Sequence, residues 1–120
     1  MEFTKDPYVT KRGDCIVACC AEKAAGELKP EVLNALALDG VVVIMIEIGN
    51  TLDIVVGETP RAIPTSLWRI VVRKSRYVDE ATVAIAVNKA AADLNKTLVA
   101  MLKRGVPVKI TVGVCLQRDF

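Results

Sequence analysis

Arg69 and Arg73 stand four positions apart in a stretch that alternates as a strand, so their guanidinium groups fall on one side and can meet a single anion. Arg61, Arg69, Arg73, Lys74 and Arg76 lie between Glu58 and Asp79 with no acid among them, which makes 61–76 the one region of single sign. Three chemistries fit: a site for a phosphate or carboxylate, a face that docks on a nucleic-acid backbone, or a solvated sheet face with no ligand. Base stacking has little support. Trp68 falls on the opposite side of the strand from Arg69, and Tyr77 is the one aromatic close by.

A second polar concentration runs from Thr4 to Asp14 and holds Thr4, Asp6, Thr10, Arg12, Gly13 and Asp14. Such a loop binds a ligand or organises itself through side-chain to backbone hydrogen bonds, with Asp14 accepting N–H groups that pin the turn. Asp6 and Asp14 are too few and too far apart in sequence to argue for a hard cation. The thiols of Cys15, Cys19, Cys20 and Cys115 lack zinc spacing. They read as small core hydrophobes, as a disulfide of the kind found in thermophiles, or, at Cys15 beside Arg12, as a nucleophilic or sensing thiol. Glu47 is the one acid inside a strongly apolar run; buried without a partner, it would be a general base with a raised pKa.

Histidine is absent. That removes serine–histidine and cysteine–histidine catalysis, imidazole metal sites and imidazole proton shuttles. An enzyme would need Cys15, Glu47, a lysine or another carboxylate, so the balance leans away from catalysis. No metal and no cofactor are expected.

Size and composition bound the setting. The chain has 120 residues, of which 52% are hydrophobic, 4% aromatic and 25% charged, with a net charge of +2. This is enough for one domain over 1–120, with a core built from Val, Ile, Leu and Ala. The longest apolar run, Val41 to Ile46, is far short of a membrane span, and Glu2, Lys5 and Asp6 interrupt any signal-peptide pattern. The chain therefore reads as cytoplasmic.

The elements that must position these residues repeat. Shifted by 66 positions, Cys15–Ile48 falls on Ala81–Val114 with nine identities in 34 ungapped positions, against roughly three from composition alone. The repeat spans roughly 1–49 and 66–116, joined by a strand and loop insertion over 50–65. Each copy reads strand, strand, helix, strand. In the second copy these are Leu67–Lys74, Thr82–Val87, a helix from about Asp93 to Arg104 with Asp93 as N-cap, and Val108–Leu116. In the first they are Glu2–Lys5, Cys15–Ala21, a helix from Pro30 to about Leu38, and Val41–Ile48. The expected fold is α+β: duplicated units forming a mostly antiparallel, barrel-like sheet with two helices, by analogy with cradle-loop barrels that carry Gly-Asp turns. The alternative is a two-layer α+β sandwich.

The run Glu2-Phe3-Thr4-Lys5-Asp6-Pro7, then Val9-Thr10-Lys11-Arg12-Gly13-Asp14-Cys15-Ile16, resembles the archaeal family called domain of unknown function 371. Val72-Arg73-Lys74-Ser75, Tyr77 and Lys89-Ala90-Ala91-x-Asp93-Leu94 resemble it too. The resemblance implies an archaeal, cytoplasmic protein and no activity. Members carry a further stretch before the first motif, so the first strand is expected to be shortened, its unpaired edge favouring a homo-oligomer.

Two functions stand open. One is a small binding module for an anionic small molecule, held by Thr4, Asp6, Arg12, Gly13, Asp14, Arg69, Arg73 and Lys74 between the two copies. The other is an RNA-associated or protein-interaction module that uses the 61–76 face. An enzyme without histidine chemistry ranks third.

Overall fold

The computed structural model describes residues 1–4, 16–18, 25–90, 93–104, 106 and 108–116. Asp6, Arg12, Gly13, Asp14, Cys15, Cys19 and Cys20 lie outside them. Among the described residues, seven strands and two α-helices follow in the order β1 (Glu2–Thr4), β2 (Ile16–Ala18), α1 (Pro30–Leu36), β3 (Gly40–Ile48), β4 (Thr51–Glu58), β5 (Arg69–Val72), β6 (Thr82–Ala84), α2 (Lys96–Lys103) and β7 (Lys109–Leu116).

The strands divide into a sheet ordered β2-β1-β5-β6 and a second ordered β4-β3-β7. The mixed α+β class with mostly antiparallel pairing is as the sequence reads. The single barrel-like sheet is not. Among the described residues the two sheets share one bridging pair, Glu58 with Ile85, and no barrel closes. The reason lies in 50–65, treated in the sequence reading as an insertion. Its strand β4 pairs along the whole of β3 and takes one edge, while β7 takes the other. β1 is no edge either, being flanked by β2 and β5.

The first sheet is symmetric in layout. β1 and β5 pair antiparallel at its centre, and each pairs parallel with its own outer strand, both parallel pairs carrying a register irregularity. Adding 66 carries β2 (16–18) onto β6 (82–84), and α1 (30–36) onto 96–102, the first seven residues of α2.

The β3–β4 hairpin turns on Gly49 and Asn50, where Gly49 supplies the positive φ (56°) that a tight two-residue turn needs. β3 alternates: Val42, Ile44, Ile46 and Ile48 face inward and are buried. They join Phe3, Leu36, Val55, Ile70, Val72, Val83, Leu94 and Leu98 in one hydrophobic cluster that both sheets and both helices enclose. Each such side chain contributes about 1.5–3 kcal/mol by leaving water. α1 starts at Pro30, whose missing N–H costs nothing in the first turn. α2 is capped by Asn95, not by Asp93 as the sequence suggested. The Asn95 side chain accepts from the N–H groups of Thr97 (2.9 Å) and Leu98 (3.1 Å), while Asp93 caps the preceding turn at Ala90 N–H (2.9 Å).

Residues 85–88 stitch the sheets together. Ile85 exchanges backbone hydrogen bonds with Glu58 (2.8 and 3.0 Å), Val87 N–H donates to Arg73 C=O (3.1 Å), and Asn88 N–H donates to Val56 C=O (2.9 Å). Ala86 makes the bend at φ 50°, a left-handed conformation that costs a residue with a Cβ about 1–2 kcal/mol.

Candidate functional site

Arg69 opens β5, and the turn before β6 brings Asp79 beneath it. Asp79 is organised locally. Its Oδ1 accepts from Ala81 N–H (3.0 Å) and Thr82 Oγ1 (2.8 Å), and its own N–H donates to Thr82 Oγ1 (2.9 Å). This leaves Oδ2 aimed at β5, where it accepts from Arg69 Nη2 (3.2 Å) and Arg73 Nη2 (2.8 Å). The two guanidinium groups do converge on one anion, and that anion is the protein's own carboxylate. Arg69 further donates to Glu2 (3.0 Å) and Glu80 (3.2 Å). Arg73 lies over the Tyr77 ring, 4.9 Å from its centre.

The electrostatics follow from these partners. Burial of Asp79, whose side chain is 12% exposed, opposes its charge. The bonds from Thr82 and Ala81 and the charges of Arg73 and Arg69 more than offset this and hold its pKa below the ordinary value. Arg69 is likewise opposed by burial, and Glu2, Glu80 and Asp79 raise its pKa above the ordinary value.

The remaining cations of the stretch are also engaged. Arg61 bonds Asp39 and lies 3.7 Å from Glu58, Lys74 pairs with Asp93 (3.3 Å), and Arg76 makes a two-pronged pair with Glu58 (2.7 and 3.3 Å). Five cations thus face six carboxylates: Glu2, Asp39, Glu58, Asp79, Glu80 and Asp93. The sequence stretch of single sign is neutralised in space, because its acids arrive from other elements. The segment exposes large apolar side chains beside the paired Arg61, Lys74 and Arg76, which are themselves half or more exposed. Trp68 is 67% exposed and Leu67 61%, and Ile63 is also exposed.

The other candidates are dispersed. Thr4 pairs through its backbone with Arg69 in the centre of the first sheet. Glu47 lies on the outer face of β3, partly exposed, in register with Lys109 and Leu52, so it is not a carboxylate sunk in the core. Cys115 is a free, exposed thiol and not a core hydrophobe. Among the described residues, no group of three or more His, Cys, Asp or Glu side chains is placed to hold a metal ion.

One cluster escaped the sequence reading. Asp53 points inward from β4 and is buried. It accepts from Lys89 Nζ, from Ile54 N–H (2.8 Å) and from Asn95 N–H at the mouth of α2 (2.7 Å). Burial opposes its charge, but the Lys89 hydrogen bond, the two backbone N–H groups and the Lys89 charge hold its pKa below the ordinary value. The signal was present: Asp53 occupies the phase of Val55, an inward position, and an inward acid needs a cation. The arrangement anchors α2 to β4.

Comparison with known proteins finds the same kinship along nearly the whole chain. The model of a family described as a domain of unknown function (DUF371) matches residues 1–115. An uncharacterized protein of the archaeon Methanocaldococcus jannaschii is 32% identical over 109 residues, which covers 88% of this chain and 78% of that protein.

Proposed function

The chain belongs to the family described as domain of unknown function 371, and since that description carries no activity, we propose from the geometry that it is a protein-interaction module. Its contact face is the 61–76 segment, used through apolar side chains and not through charge. The observation that carries this is the pairing of every cation in the segment with a carboxylate, beside an exposed Ile63, Leu67 and Trp68. A neutralised face gives a polyanion little counterion release, which argues against RNA. A Trp with its neighbouring Leu in water is the kind of anchor that fills a pocket on a protein partner. The partner surface is therefore an apolar groove. The test replaces Trp68 with a photoreactive phenylalanine analogue in cells. The expected result is one discrete protein adduct that disappears when Ile63 and Leu67 are changed to Ser in a chain of unaltered thermal stability. No adduct, or one indifferent to those changes, rejects the reading.

The convergence of Arg69 and Arg73 on one oxygen favours a second reading, a binding module for an anionic small molecule. An oxyanion would take the place of the Asp79 carboxylate, with Lys74 at the margin; the sequence adds Thr4, Asp6, Arg12, Gly13 and Asp14 as candidates, all but Thr4 outside the described residues. Calorimetry with inorganic phosphate and small dicarboxylates tests it. Heat that vanishes in an Arg69→Ala, Arg73→Ala variant supports it, and silence in the parent rejects it.

We read 1–120 as one domain of two related units, 1–49 and 66–116, joined by 50–65. Support comes from pairings that are locally self-symmetric. β3 meets β7 about Met45 and Thr111, which are 66 apart, and β1 meets β5 in the same antiparallel sense, as they would if one unit had been copied. The cytoplasmic setting is part of the same proposal. Among the described residues no helix is long and apolar enough to cross a membrane, which says nothing of strands.

A further inference from the structure

The second sheet has a face that nothing in the described chain covers. Cross-strand register places Val41, Val43, Met45 and Glu47 of β3 on it, with Leu52, Ile54, Val56 and Glu58 of β4 to one side and Lys109, Thr111, Gly113 and Cys115 of β7 to the other. Val41, Leu52, Ile54 and Val56 are exposed. β3 is apolar on both faces, the pattern of a strand covered on both sides, yet only its inner face is buried. Strands of eight residues, three abreast, make a face of roughly 26 by 14 Å, or roughly 370 Å², and its apolar part (Val41, Val43, Met45, Leu52, Ile54 and Val56) is within the range of the largest patch on an ordinary monomer, a patch that is often functional.

The edge of this sheet is closed to extension along much of β4. Ile54 N–H is taken by its neighbour Asp53 (2.8 Å), Val56 N–H by Asn88 Oδ1 (2.9 Å) and Glu58 N–H by Ile85 C=O (2.8 Å). A partner strand is thus kept from adding along β4, and the face beside it is left uncovered.

The relief of the face says which partner. One flank is a ridge of Leu52, Ile54 and Val56; the other is a trough of Thr111, Gly113 and Cys115. The trough is open at Gly113, where a Cβ would meet nothing nearer than the Val43 carbonyl oxygen at 3.8 Å. Ridge and trough flank the same central strand. A twofold axis along β3 therefore lays the ridge of one copy over the trough of another on both flanks, as aligned sheets pack. The axis also sets Glu47 of the two copies against each other at one end, each with Lys109 as its cross-strand neighbour.

We propose that the outer face of β4-β3-β7 is a homodimer interface in which Ile54 and Val56 of one copy pack over Thr111 and Gly113 of the second copy. This does not rest on the 61–76 reading, since the two surfaces share no residue. Two such faces cover roughly 740 Å², below the roughly 1,200 Å² of a standard specific interface, so the dimer is a weak one that dissociates on dilution.

Sedimentation equilibrium of the parent chain, Ile54→Glu, Thr111→Lys and an equal mixture of the two variants tests it. Both positions are on the solvent side of their strands, so thermal stability of the isolated chains should change little. The parent should associate reversibly. Each variant alone should weaken association by at least about tenfold. The mixture should regain it, because a mixed pair sets the introduced carboxylate of one chain against the introduced ammonium of the other on one flank and keeps the native contact on the second flank. A parent that stays monomeric up to its solubility limit overturns the proposal. So does a Thr111→Lys chain that associates like the parent, or a mixture no tighter than its components.

Discussion

Arg73 donates from Nη2 to Asp79 Oδ2 at 2.8 Å, closing a turn onto the strand it follows. This one contact gives the guanidinium pair read from the sequence as a candidate anion site a carboxylate from the chain itself. The carboxylate sits where an exogenous anion would sit, and the turn that carries it is pinned by its own Thr82 and Ala81 bonds.

Removing that carboxylate separates joint from site. Asp79→Ala should destabilise the chain by about 1–3 kcal/mol, since it leaves two turn donors unpaired and takes the carboxylate from Arg73, while Arg69 keeps Glu2 and Glu80. It should also leave Arg69 and Arg73 free to take an ion from solution. Phosphate should then raise the melting temperature of the variant more than that of the parent, by thermal unfolding at matched ionic strength. Equal responses would mean that the guanidinium pair cannot accept an external anion.

Acid should weaken the fold through two groups. Asp53 and Asp79 both titrate below the ordinary carboxylate value in the folded chain. The stability they supply is complete above the unfolded pKa of about 3.9. It declines as pH falls below that and is exhausted once pH passes under the depressed folded values. Urea midpoints measured from pH 6 downward should drop less steeply for Asp53→Asn and for Asp79→Asn than for the parent. Parallel curves would show that neither carboxylate is coupled to folding.

Gly57 should tolerate no side chain. A Cβ there would stand 2.5 Å from Val87 Cγ1 and 2.6 Å from the Ile85 carbonyl oxygen, at the point where 85–88 crosses onto β4. Gly57→Ala should cost about 1–3 kcal/mol. Amide exchange should quicken first at Glu58 and Ile85. Unchanged denaturant midpoints would place that crossing elsewhere.

Ala86 offers the opposite sign. Its φ of 50° disfavours a Cβ, and glycine relieves that at some entropic cost in the unfolded chain. Ala86→Gly should therefore stabilise by up to about 1 kcal/mol, raising the melting temperature by a few degrees. A lower melting temperature would contradict the bend.

Much of the fold was legible because it depends on local periodicity. The alternation of Val42, Ile44, Ile46 and Ile48 gave β3 its inner face, and Pro30 gave the start of α1. The N-cap of α2 slipped from Asp93 to Asn95 because both are capping residues within one turn, and only the path of the backbone chooses between them.

The sequence by itself determined which residues alternate, which are apolar and where chain direction must change, since these follow from the chemistry of near neighbours. Only the tertiary structure decided which charges cancel. Arg69 is 67 positions from Glu2, and Lys89 is 36 from Asp53. The sign of a surface depends on what folding brings alongside it, and Coulomb attraction falls with distance through space, not along the chain. Tertiary structure likewise parted the strands into two sheets, because β4 and β7 both compete for β3 and a strand has only two edges to give.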